Sequence, residues 1–143
     1  MTNTNPAIDS LQAAEQANQH RGALNERMGI QFTEFSVERS VATMPVEGNT
    51  QTIGLLHGGA YLVLGETMGS MMANFYAGDG RFAVGIEISA SHTRSVTQGE
   101  VTGVCTPIHL GRSTTVHEIA VSDAEGRRLS TVRITNMLRD ASS

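Results

Sequence analysis

The run HGGAYLVLGETMGS, residues 57–70, is apolar on nearly every side yet carries one carboxylate, Glu66, in its middle. A carboxylate on a buried helix must be paired, protonated or kept for chemistry, because burying it uncompensated is costly. No Lys or Arg lies within one helical turn of it. An ion-pair partner must then come from another element, and a catalytic base or nucleophile is the alternative. Just upstream, LLHGG puts Gly58 and Gly59 where a loop enters a helix. Main-chain N–H groups there are free to meet a developing oxyanion, although Gly-Gly also serves as a plain tight entry turn. Gly58 and Glu66 are eight residues apart, about 12 Å of helical rise. One reacting carbonyl does not easily reach both. If both serve one site, they come from two subunits with antiparallel neighbouring helices, and the site demands a dimer.

Two polar-basic clusters end predicted strands: SHTRS, with His92, Arg94 and Ser95, and HLGRS, with His109, Gly111, Arg112 and Ser113. Together they could hold a phosphorylated group; singly, each reads as a solvated loop. Gln51 could hold a water or a carbonyl, or simply be solvated. Glu87 in GIEIS is the competing carboxylate, on a strand position that favours a structural or rim role. Five histidines without close ligand pairs, and a single cysteine, lead us to expect no metal site. Cys105, within an alternating strand, reads as a core thiol.

The elements that must position these groups follow from pattern and length. The 143 residues fit one domain, read as an N-terminal helical segment (1–28) followed by the main fold (29–143). With 14 acidic against 10 basic side chains there is no broad cationic surface, which argues against a nucleic-acid partner. One cysteine excludes an internal disulfide framework, and MTNTNPAIDS has neither a basic start nor an apolar run. Both fit a cytoplasmic location. Residues 57–77 are about long enough to span a bilayer. Glu66 near their middle, flanked by Gly65 and Gly69, favours a buried helix and no membrane contact.

The segment NPAIDSLQAAEQANQHRGALNERMG is expected to form a peripheral helix with a loose apolar face of Ile8, Leu11, Ala14, Leu24 and Met28. IQFTEFSVERSVATMPV alternates like a strand, and EGNTQT is a polar loop. On the central helix, the 3.6 period puts Tyr61, Leu64, Met68, Met71, Met72 and Phe75 on one side, and Glu66 on the other with Leu62, Val63, Gly69, Ser70 and Ala73. A helix apolar almost all round must be wrapped by the rest of the fold. RFAVGIEISASHTRS, GEVTGVCTPIHLG, TTVHEIAVSD and RLSTVRITNML read as strands, the last two joined as a hairpin through AEGR. The expected class is α+β, a curved antiparallel sheet around a buried helix. The ends MTNTN and RDASS read as disorder-prone.

GLLHGGAYLVLGETMGS, VGIEISASHTRS and GVCTPIHLGRS, in this order, make the chain resemble the hot-dog-fold acyl-CoA thioesterases over roughly residues 30–138. More narrowly it resembles the branch with a catalytic glutamate on the central helix, which includes 4-hydroxybenzoyl-CoA thioesterases, 1,4-dihydroxy-2-naphthoyl-CoA hydrolases and the proofreading thioesterase of enterobactin synthesis. The resemblance implies an antiparallel sheet wrapped around a long central helix. It implies that Glu66 is nucleophile or general base, that Gly58 supplies the oxyanion N–H, and that Gln51, His57 and Ser70 position the thioester carbonyl and the attacking group. His92 would close the acyl pocket. Gly85, His92 to Ser95 (with Thr93 and Arg94) and His109 to Thr114 (with Leu110, Gly111, Arg112 and Ser113) would hold the CoA. No cofactor is implied, CoA being part of the substrate; family members are commonly tetramers, dimers of hot-dog dimers with sites at the dimer interface, so a homo-oligomer is expected, at least a dimer and by preference a homotetramer. The activity implied is hydrolysis of an aromatic acyl-CoA, 1,4-dihydroxy-2-naphthoyl-CoA first, with medium-chain or phenylacetyl-type acyl-CoA as alternatives. Tyr61 stands where a small residue is usual, and QTIG where QPFG-like text is common; both bear on the acyl group more than on the chemistry. Hydratases and dehydratases of this fold resemble a pattern pairing aspartate with histidine on the helix, which HGGAYLVLGE lacks. A non-catalytic acyl-CoA-binding module is the remaining rival.

Overall fold

Twenty residues from Gly58 to Ala77 form one uninterrupted helix, and the rest of the chain is arranged around it. The computed structural model describes residues 6–142. In chain order these are α1 (Pro6–Gln19), α2 (Ala23–Met28), β1 (Gln31–Phe35), β2 (Ser40–Pro45), α3 (Gly58–Ala77), β3 (Arg81–His92), β4 (Glu100–Leu110), β5 (Thr114–Ser122) and β6 (Arg128–Asp140). The six strands make one antiparallel sheet in the order β1-β2-β4-β5-β6-β3.

The start of α3 is set by His57, the N-cap, whose Nδ1 accepts the Gly59 N–H at 2.8 Å. It ends at Gly78, whose φ of 74° a side chain would resist. Leu64, Met68 and Met72 are fully buried, and they pack with Val101, Ile119, Val132 and Ile134 of the sheet in a single core. Gly65 and Gly69 bring the helix hard against β6: a Cβ at 65 would lie 2.5 Å from Val132 Cγ1, and one at 69 would lie 2.3 Å from Ile134 Cγ2. Phe75 departs from the expected buried face. It lies in the last turn, 53% exposed, and packs at right angles to Phe35, ring centroids 5.5 Å apart.

Three local expectations are corrected. The N-terminal segment is two helices, not one, because Gly22 adopts φ 86° between them. Ala14 and Ala17 are its buried contacts, whereas Leu11 and Leu24 are exposed; the Ile8 side chain and MTNTN lie outside the described residues. The stretch read as one strand from residue 30 is a β1–β2 hairpin, its turn held by Ser36 Oγ, which donates to the Arg39 carbonyl and accepts the Arg39 N–H. Finally, β6 runs on through Arg139 and Asp140, so the first two residues of RDASS belong to the sheet. Among the described residues no helix is long and apolar enough to cross a membrane.

Candidate active site

Glu66 sits at mid-helix, half-buried, on the border of a cavity of about 370 Å³ that it shares with Leu24, Leu62, Val63 and Ile88. The ion pairs among the described residues do not include it. What holds it is Ser70, one turn on, whose Oγ donates to Glu66 Oε1 at 3.0 Å. Across the sheet, the carboxylate rests against Gly85: a Cβ there would come within 2.7 Å of Oε1. Gly85 thus makes room for Glu66. A register shift in β3 follows immediately, between Gly85 and Glu87; such bulges re-aim side chains beside sites. The rival carboxylate, Glu87, is exposed on this edge strand.

The first turn of α3 forms a second station. His57 caps the Gly59 N–H with its ring and the Ala60 N–H with its carbonyl. Of these three adjacent donors, the N–H of Gly58 is left uncapped, as first-turn donors are unless a side chain or ligand meets them. His92 covers this point, since a Cβ on Gly58 would lie 3.1 Å from His92 Nε2. The His92 ring packs on Tyr61, centroids 4.8 Å apart, and its Nδ1 is 2.9 Å from Ser130 Oγ. Gln51, Gly58, Tyr61, His92, Thr93, Arg94 and Ser95 line one cavity of about 360 Å³. Gln51 is partly engaged, its Oε1 accepting the Ile53 N–H. His57 faces a different cavity, with Met28, Asn49 and Val63.

The predicted residues therefore fall into separate groups within one chain. Gln51, Gly58 and His92 to Ser95 converge, Glu66, Ser70 and Gly85 converge, and the two groups are separate. His109 to Thr114 form the β4–β5 turn near the far end of α3, where Tyr76 Oη meets the carbonyls of Leu110 and Gly111 at 3.2 and 3.0 Å. Arg81, at the start of β3, donates to the Arg112 carbonyl at 2.6 Å. The HTRS cluster follows the other end of the same strand, roughly 35 Å away at the rise of an extended chain. One copy of the chain does not bring Arg94 and Arg112 to a single phosphate. Cys105 is fully buried and burial pushes its thiol up to about 12, so it is a core group and no nucleophile.

Sequence reasoning passed over a row of buried polar side chains on the sheet, from Thr115 and Asn136 on the rung of Gly85 to Ser130 beside His92. Thr115, His117, Ser130 and Asn136 are all fully buried. The signal was available in strand alternation: Thr115 and His117 keep phase with core residues Ile119 and Val121, and Ser130 and Asn136 keep phase with Val132, Ile134 and Leu138. Ser70 links this row to the carboxylate, its Oγ lying 3.2 Å from Asn136 Oδ1.

A six-stranded antiparallel sheet wrapped on one long helix is the hot-dog fold. The chain belongs to the thioesterase superfamily, whose family model matches residues 53–130, more than half of it. The proofreading thioesterase EntH of Cronobacter turicensis is 50% identical over 115 residues, covering 80% of this chain and 84% of that protein. Among solved structures, a mutant thioesterase of Pseudomonas aeruginosa superposes with a TM-score of 0.86 at 36% identity, covering 90% of this chain and 94% of that one. A thioesterase of Haemophilus influenzae gives 0.85 at 34% identity, covering 89% and 90%. This chain is a thioester hydrolase.

Proposed function

We propose that the substrate is an acyl-CoA with an aromatic acyl group, 1,4-dihydroxy-2-naphthoyl-CoA being the first to try, and that the working site is shared by two copies of the chain. The observation that carries the reading is Glu66: a half-buried carboxylate with no ion-pair partner among the described residues, held by Ser70 and bordering a largely apolar cavity. The stacked aromatic pair of Tyr61 and His92, which borders the cavity beside Gly58, supports an aromatic group. Glu66 takes a proton from water as the water oxygen attacks the thioester carbonyl carbon. The N–H of Gly58 on the partner copy meets the oxyanion, the C–S bond breaks, and CoA leaves as a thiolate that is then protonated. Thioesters have weak resonance, so one positioned carboxylate and one or two donors suffice without metal or cofactor. Arg94 of one copy and Arg112 of another are the phosphate partners.

The dimer has support at the sheet edge. β3 is an edge strand on which Phe82, Val84 and Ile86 are 41%, 39% and 53% exposed. An apolar, unpaired edge is a template for pairing with another strand, and a second β3 related by two-fold symmetry is the self-complementary choice. The test is thiol release from benzoyl-, dihydroxynaphthoyl- and straight-chain acyl-CoAs by wild type and Glu66→Gln. Fast aromatic turnover that falls about 10²- to 10⁴-fold in the variant supports the reading. CoA binding without turnover of any thioester would leave a binding module instead. A second reading, a proofreading enzyme that clears wrongly formed thioesters, is favoured by the Cronobacter relative. It predicts comparable kcat/KM across several acyl groups in the same panel.

A further inference from the structure

We propose that Asn136 is a positioning residue of this thioesterase, acting through Ser70 to hold the carboxylate of Glu66 in its working orientation; the proposal rests on the role given to Glu66 above. One rung crosses three strands beneath that carboxylate. Thr115 of β5 stands directly opposite Asn136 of β6, which stands opposite Gly85 of β3. Gly85 contributes no side chain, and Glu66 fills the space. Asn136, fully buried, contributes an amide that reaches Ser70. Thr115, also fully buried, contributes a hydroxyl on the same face.

The protons of this rung can be counted. Ser70 Oγ lies 3.0 Å from Glu66 Oε1 and 3.2 Å from Asn136 Oδ1, but a hydroxyl has one proton and an ionised carboxylate has none to give. With Oδ1 turned to Ser70, two acceptors compete for that proton. The Nδ2 of Asn136 and the Oγ1 of Thr115 are then left buried with no hydrogen-bond partner. The opposite amide rotamer, which has the same shape, removes the conflict. Nδ2 then donates to Ser70 Oγ, and the Ser70 proton is committed to Glu66. The chain of donors runs one way, from the sheet to the carboxylate, and fixes which oxygen of Glu66 is occupied and which is free for water. A buried network in which every donor points the same way holds its end group more tightly than a lone serine would.

The experiment is a double-mutant cycle on kcat and KM with the best acyl-CoA from the panel: wild type, Asn136→Leu, Ser70→Ala and the double variant, with thermal unfolding of each. Misplacing a reacting group by about 1 Å costs up to roughly 100-fold. Asn136→Leu is therefore expected to lower kcat about 10- to 100-fold while KM stays within about 3-fold. The double variant should be no slower than the slower single one, because both act through one hydrogen bond. Losses that multiply would overturn the proposal, as would a change in KM alone. Should Asn136→Leu fail to fold, Asn136→Ala removes the amide without adding bulk, and an unchanged kcat there also overturns it. Glu66→Gln run alongside separates the two failures. Full turnover by Glu66→Gln removes the role of Glu66 itself and this proposal with it, whereas its loss beside a normal Asn136→Leu rate removes only the role of Asn136.

Discussion

Burial holds the imidazole of His117 neutral and pushes its pKa down to about 4, and neither ring nitrogen has a hydrogen-bond partner. In the unfolded chain the same group titrates near 6.5. Between those values the unfolded state binds one more proton, so acid favours unfolding. This contribution is fully present above about pH 6.5 and is lost progressively toward pH 4. Thermal unfolding across that window is expected to show a falling Tm, and His117→Leu, which cannot titrate, should flatten the slope. An equal slope in the variant would assign the acid sensitivity elsewhere.

At the level of elements, the contact that matters most is α3 on β6. Gly65 and Gly69 allow it, with hypothetical Cβ positions inside the van der Waals radii of Val132 and Ile134. Two effects oppose each other in Gly69→Ala. Alanine gains about 0.5–1 kcal/mol in helix propensity, while overpacking a full core costs about 1–3 kcal/mol. A methyl 2.3 Å from a branched side chain cannot be absorbed by a rotamer change alone. Overpacking wins, and urea unfolding should show a net loss of about 1–2 kcal/mol. Activity should drop as well, since Ser70 and Glu66 ride on the same turns of α3. A neutral or stabilising Gly69→Ala would mean that helix and sheet are less closely seated than described.

For the whole molecule, the decisive quantity is the helical rise between Gly58 and Glu66, about 12 Å. One chain presents a donor at one station and a carboxylate at another, and an antiparallel partner would bring them together. Phe82→Lys puts a charge on the exposed β3 edge, away from Gly85 and from the first turn of α3. On the dimer proposal, light scattering should show a shift toward monomer, with turnover lost in parallel and recovered at high protein concentration. A wild-type monomer with full activity would sink the shared site.

Local information made much of this legible. An all-round apolar run can only be a wrapped helix, period-two alternation can only place strands, and a polar AEGR turn joins neighbours, so α3, β3 to β6 and the last hairpin followed from sequence. Glu66 stood out for the same local reason, a charge where pattern allows none. The break at Gly22 and the turn at Ser36–Arg39 were missed because good helix formers and alternating residues continue across both. Only the tertiary structure decided that β3 lies beside β6 and not β4, since strand order depends on which faces cover the helix and not on any neighbour in sequence. It also decided that Gly85, Asn136 and Thr115, distant along the chain, share one rung under Glu66. Strand register is a long-range property, and the hydrogen bonds that orient a carboxylate exist only once that register is set.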